Sequence, residues 1–237
     1  MCRRRVPFMS SGTAPAPVGP LLLELQIADD PAPWAAAGFA VDGSGVALGP
    51  VRLLLTGRPD HDDAPTGIVG WTLAGVSLEG DYLDGLPTQV ANAPSPSDGD
   101  AVDHANGAIG IDHVVVTTPD LDRTLDALAT AGLELRRIRE TTSAGSPMRQ
   151  AFFRLGPTVL EVVGGPTGNT LSAAEAPSGW FGLAIDVADL DMTRRLLGVA
   201  LGPIKPAVQP GRRIATFRQR ELGLSVAIAA MDHHGER

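Results

Sequence analysis

Cysteine is almost absent: Cys2 is the only one in 237 residues. A single thiol near the N-terminus excludes a disulfide framework and a thiolate zinc site, and supplies no buried cysteine nucleophile. Long apolar runs are missing too. Nothing approaches the roughly 18 consecutive apolar residues that span a bilayer. The early stretch Leu21 to Leu25 is interrupted by Glu24. The basic lead Met1-Cys2-Arg3-Arg4-Arg5 is followed by no apolar segment before Pro15 and Pro17. The expectation is therefore a soluble cytoplasmic protein without a membrane partner, in which residues 1–19 are a disordered lead. Positive charge is also short. The net charge is −8, which argues against a nucleic-acid partner, because phosphate backbones select basic faces. The small basic groups Arg136, Arg137, Arg139 and Arg212, Arg213, Arg218 read as charged strand exteriors. No Gly-rich phosphate loop of standard spacing and no Ser/His/Asp motif occurs.

What is present is enough to build a sizeable core, since 43% of the residues are hydrophobic. A stretch rich in Pro, Ser, Asp, Asn and Gly, residues 86–109, reads as a linker. It divides a smaller part, 20–85, from a larger one, 110–230, and residues 231–237 form a tail that includes His233 and His234.

The larger part opens with the β-branched run Ile111 to Val116. Thr118-Pro119 then suggests a helix start, Leu121, Leu125 and Leu128 recur at helical spacing, and Gly132 is a stop. Three strand-like pieces follow, Leu133 to Arg139, Arg149 to Leu155 and Thr158 to Val163. The β-α-β-β-β order then repeats. Gly182 to Val187 is a strand, Asp189 caps a helix, and Pro203 to Val208, Arg212 to Arg218 and Gly223 to Ala230 are further strands. A fainter third copy precedes both. Glu24 to Pro31 aligns with Asp112 to Pro119, Leu48 to Leu55 with Leu155 to Val162, and Gly70-Trp71 with Gly179-Trp180. Trp34, Trp71 and Trp180 read as core anchors of these copies.

Ile111-Asp112-His113-Val114-Val115-Val116 with Asp120-Leu121-Asp122 resembles the opening of modules in the vicinal oxygen chelate superfamily. That superfamily includes glyoxalase I, the bleomycin-resistance proteins and the extradiol dioxygenases. Leu183 to Asp191 resembles the same opening without the histidine. The resemblance implies an α+β fold of tandem β-α-β-β-β modules forming a cup-shaped curled sheet, with a further, degenerate partial module over 20–85. It implies a divalent metal (Zn, Fe, Mn or Ni) held by His113 on the first strand and Glu161 on the last. In the second module Gly182 and Ala227 fill the two ligand positions, and in the N-terminal copy Leu25 and Leu54 do. None of these can coordinate a metal. A third ligand could come from His104, Gln150 or another subunit.

Three functions stay open at this point. The cup binds a small organic molecule, as in the bleomycin-resistance proteins. Alternatively His113 and Glu161 serve a metal-dependent lyase, isomerase or dioxygenase, or the chain is a decayed enzyme with a structural role. Glu161 is also a candidate general base without metal, because a carboxylate within Val159 to Val163 faces a polar cup or a partner. Gln150, and by strand alternation Arg213 and Phe217, are candidate ligand-binding residues. Asp60-His61-Asp62-Asp63 lacks the spacing of a calcium loop and reads as a turn. Superfamily members pair modules between chains, so a homodimer is expected by resemblance.

Overall fold

The computed structural model describes residues 19–61, 64–92, 102–143, 145–164 and 176–233. Residues 1–18, Asp62, Asp63 and residues 234–237 lie outside them, and so does most of the expected lead, part of the acidic turn and most of the tail.

The smaller part begins with strand β1 (Leu21–Ile27), a short helix α1 (Pro31–Ala36), and strands β2 (Gly45–Leu48) and β3 (Val51–Leu55). Strands β4 (Ile68–Ala74), β5 (Tyr82–Leu83) and β6 (Leu86–Ala91) complete a six-stranded sheet in the order β2-β3-β1-β4-β6-β5. The larger part runs β7 (Ala108–Thr118), α2 (Leu121–Thr130), β8 (Leu135–Ser143), β9 (Ser146–Leu155) and β10 (Thr158–Gly164). It continues with β11 (Gly179–Val187), α3 (Leu190–Leu197), β12 (Lys205–Pro206), β13 (Arg213–Thr216), a one-turn helix α4 (Gln219–Leu222) and β14 (Ala227–Asp232). These strands make an eight-stranded sheet, β12-β13-β14-β11-β7-β10-β9-β8.

The fold class is α+β, with tandem β-α-β-β-β modules and curled open sheets. Each module's first strand pairs in parallel with its last, β7 with β10 and β11 with β14, and the two first strands pair antiparallel at the centre. The six-stranded sheet has the same plan. There β1 pairs in parallel with β3, β4 in parallel with β6, and β1 antiparallel with β4. The faint N-terminal repeat therefore extends further than its sequence matches, into a second reduced set of strands.

Two details depart from the sequence reading. The α2 cap is Asp120 rather than Thr118, its side chain accepting from the Arg123 N–H at 3.1 Å. Pro119 disfavours a helical conformation at Thr118, which ends β7 instead. The stretch read as a linker carries strands at both ends. Leu86–Ala91 is β6, and Ala108 already belongs to β7. Within β6 only Leu86 and Thr88 are buried, so it lacks a hydrophobic alternation, and Pro87 sits on the flank paired with two-residue β5.

One hydrophobic core joins the two sheets. Trp34 and Trp71 are fully buried, and Trp71 meets Trp180 of the other sheet edge-on at 4.8 Å. Polar ties reinforce the contact. The buried Asp29 carboxylate accepts from Trp34 Nε1 at 3.2 Å, Arg58 Nη2 at 3.1 Å and the Ser225 N–H at 3.0 Å. Asp84 accepts from Arg123 Nε at 2.7 Å, Thr124 Oγ1 at 2.5 Å and Ser178 Oγ at 2.6 Å. Each carboxylate is thereby satisfied at a junction, as buried charge requires.

Candidate functional site

The concave face of the larger sheet carries the alternate residues of β7, β10 and β9 that do not enter the core. Register sets His113 opposite Val159 and Glu161 opposite both Val115 and Phe152. His113 and Glu161 converge, with Nε2 to Oε2 at 3.9 Å. Gln150, on β9, donates from Nε2 to Glu161 Oε1 at 2.5 Å. Three of the expected site residues are thus brought together from three neighbouring strands.

The bonding of His113 follows from a bulge. Between β7 and β11, His113 faces Ala184 and Ile111 faces Ile185, so Asp112 is an extra residue on β7. Such an insertion re-aims side chains that would otherwise point to opposite faces. Here it brings the Asp112 carboxylate to His113 Nδ1 at 2.6 Å. Burial alone would raise the Asp112 pKa, but hydrogen bonds from His113 and Arg212, and their charges, hold it below the ordinary carboxylate value. An ionised carboxylate only accepts, so the shared proton sits on Nδ1, and in the neutral imidazole Nε2 then keeps its lone pair. That lone pair faces Glu161 Oε2, another acceptor. At 3.9 Å the two atoms are beyond hydrogen-bond distance of each other, so the space between them suits a donor group.

Arg212, 6% exposed at its side chain, lies behind Asp112. Its Nη1 donates to Asp112 Oδ1 at 2.5 Å, its Nη2 to Asp186 Oδ1 at 2.6 Å and its Nε to the Asp232 carbonyl at 2.7 Å. One guanidinium thus serves two carboxylates. Burial, then repulsion from Asp112, raises the Asp186 pKa, partly offset by Arg212 and His233. A raised folded pKa means the folded chain holds that proton more tightly than the unfolded chain does. Ionised Asp186 therefore opposes folding at neutral pH, and the penalty fades as pH falls toward the ordinary value of 3.8. Asp186→Asn keeps the acceptor oxygen and is expected to raise Tm at neutral pH, with the difference closing near 3.8. A lower Tm at neutral pH would show that the pairing with Arg212 outweighs the repulsion.

A cleft of about 260 Å³ opens over the His113–Glu161 pair. Its walls include Phe152 and the guanidinium groups of Arg136, Arg137 and Arg154. Arg137 lies over the Phe152 ring at 4.8 Å. Arg136 pairs with exposed Glu134, whereas Arg154 contacts the Pro157 carbonyl. The upper wall is therefore cationic above a floor of two acceptors.

Arg213 and Phe217 do not reach this cleft. Phe217 is 1% exposed and stacks on Phe39 in the core. Arg213 pairs with Asp232 at 2.7 Å and Asp191 at 2.9 Å. Ala215 and Phe217 define the core-facing parity of this segment, and Arg212, of the other parity, reaches Asp112 behind the cleft rather than the cleft itself. The acidic residues at 112 and 186 were the available signal for Arg212. His104 is also removed as a ligand: Nδ1 accepts from the Ala40 N–H at 2.9 Å and Nε2 contacts the Ala47 carbonyl at 2.7 Å.

The second module's first-strand ligand position is closed. Register pairs Gly182 with Ala227 as it pairs His113 with Val159, so the counterpart of Glu161, two residues on, is Ala229 rather than Ala227. A Cβ on Gly182 would collide with the Ala227 carbonyl oxygen and lie 2.9 Å from the Ala227 Cβ. In the N-terminal sheet Leu25 is wholly buried, and Glu24, opposite Arg52, occupies the position of His113. Leu54 remains at the position of Glu161. Among the described residues, no group of three or more His, Cys, Asp and Glu side chains could hold a metal.

Known structures share this architecture. A triple mutant of 4-hydroxymandelate synthase from Streptomyces coelicolor aligns over 92% of this chain and 93% of its own, at 15% identity and a TM-score of 0.61. A xylose isomerase-like TIM barrel/4-hydroxyphenylpyruvate dioxygenase fusion protein aligns over 97% of this chain and 52% of its own, at 13% identity and a TM-score of 0.61. The chain has the vicinal oxygen chelate fold. No protein-family model and no curated protein matches the sequence. Within this vicinal oxygen chelate cup, His113 and Glu161 stand on the first and last strands of one module, where the sequence resemblance placed them. No described helix is long and apolar enough to cross a membrane.

Proposed function

We propose that the cup of the first module binds a small organic anion. Its acid group is held by Arg137 and Arg154, and its reactive or proton-bearing centre lies between His113 and Glu161. The observation that carries this reading is the facing pair of acceptors, 3.9 Å apart, under a cationic wall. Such a floor selects a ligand that donates or is electrophilic, and such a wall selects a carboxylate. An open cleft also weighs against a purely structural role.

The compound named for one fold neighbour, 4-hydroxyphenylpyruvate, has this chemistry and serves as a probe. It is expected to raise Tm, its methyl ester is not, and Arg137→Ala/Arg154→Ala is expected to weaken binding by roughly ten- to a hundredfold. Equal stabilisation by acid and ester would remove the anion reading.

A metal-dependent lyase, isomerase or dioxygenase is the second reading, and two observations favour it. Asp112 holds the histidine's far nitrogen, which is the usual support of a metal-ligating imidazole. Gln150 Oε1 is buried without a hydrogen-bond partner. His113 Nε2, Glu161 and Gln150 would then hold a divalent ion, fewer charged ligands than catalytic sites usually have. When bound, such an ion would polarise oxygens of the ligand. Reconstitution with Zn, Mn or Fe(II) is expected to load about one ion per chain in this reading, and to fail in His113→Ala and Glu161→Ala. Equal metal content in wild type and variants would exclude it and leave the anion reading standing.

A further inference from the structure

We propose that Arg212 is a positioning residue of the second module that fixes the tautomer and aim of His113 in the first. The proposal rests on the reading of His113 and Glu161 as the working pair, and it assigns the second module a use. Gly182 and Ala229 cannot supply ligands, yet the acceptors that surround Arg212 besides Asp112 all come from that module. Asp186 is on β11, and the Asp232 carbonyl is on β14. With these two bonds at 2.6 and 2.7 Å the guanidinium is clamped, and its remaining Nη1 reaches Asp112 at 2.5 Å. Asp112 cannot then rotate away from His113 without breaking that buried bond. The chain of contacts runs Asp186, Arg212, Asp112, His113, Glu161, Gln150 and crosses the module boundary once.

The planar guanidinium matters, because three acceptors lie in three directions and an ammonium could not match that fork. The outcome is a neutral imidazole whose Nδ1 carries the proton and whose Nε2 is the free nitrogen. A histidine that presents the wrong nitrogen to the cleft can neither take a proton from a ligand nor hold an electrophile there.

Long-range 1H–15N correlation spectra of labelled full-length protein, at about pH 8 and so above the ordinary imidazole pKa of about 6.5, report the tautomer directly. His113 is assigned by loss of its signals in His113→Gln. His104 is an internal reference of the opposite kind, because its Nδ1 accepts from the Ala40 N–H and its Nε2 carries the proton to the Ala47 carbonyl. Wild type is expected to show His113 protonated on Nδ1. Arg212→Gln and Asp112→Asn are expected to shift it toward a mixture or the Nε2-protonated form, with the His104 pattern unchanged. If Arg212→Gln does not fold, Arg212→Lys takes its place, with a partial shift expected. A wild-type His113 protonated on Nε2, or a folded Arg212 variant with the wild-type tautomer, would overturn the proposal. Neither result depends on a ligand, so failure here and failure of the binding reading are distinguishable.

Discussion

Arg212→Met is expected to lower the free energy of unfolding by about 3–5 kcal/mol, the range for removing one partner from a buried ion pair. The reason lies in what remains. Asp112 and Asp186 are 15% and 17% exposed at their side chains, and each accepts a hydrogen bond from the same guanidinium. Without it, two like charges share a poorly solvated space, and the Asp232 carbonyl also loses a donor. Urea denaturation of wild type and variant measures the loss. Neutralising the carboxylates as well, in Arg212→Met/Asp112→Asn/Asp186→Asn, is expected to recover more than half of it, because the penalty belongs to the stranded charges. A loss below about 1 kcal/mol for the single variant would place the pair in the range of ordinary surface ion pairs.

Gly182→Ala is expected to cost about 1–3 kcal/mol, the range for overpacking a tight interior position. One methyl group suffices, because its first neighbour is the Ala227 backbone rather than a flexible side-chain end. β11 and β14 would have to separate there or slip in register. A histidine carries the same Cβ, so Gly182→His is expected to lose at least as much stability and to gain no metal affinity. Chemical denaturation of the two variants checks this. A Gly182→Ala protein as stable as wild type would show that the second ligand position was vacated but never closed.

These two positions also mark where the sequence could and could not be read. The strand–helix–strand order was legible because apolar spacing, Asp189 and the paired Gly-Trp openings each carry a local physical cause. Asp189 does cap its helix, accepting from the Asp191 N–H at 2.8 Å. His113 and Glu161 were legible as a pair through resemblance alone. Their distance, 3.9 Å, depends on the parallel register of β7 and β10, which no local signal encodes. Register also moved the empty second position from Ala227 to Ala229, because offsets between strands depend on the turns between them. Arg212 was set aside for Arg213 by a parity choice. The segment's buried members, Ala215 and Phe217, settle that choice only once the core is known. The bulge at Asp112 is equally silent in sequence, since Ile111 to Val116 reads as an uninterrupted strand.

Both the binding reading and the positioning reading come down to one nitrogen. Titration of 4-hydroxyphenylpyruvate into labelled protein, followed at the two ring nitrogens of His113, tests them together. The expected result is a saturable shift of Nε2, which faces Glu161 across the cleft floor, while Nδ1 stays protonated against Asp112. No response of His113 at saturating ligand, or a response carried by Nδ1 instead, would contradict the account.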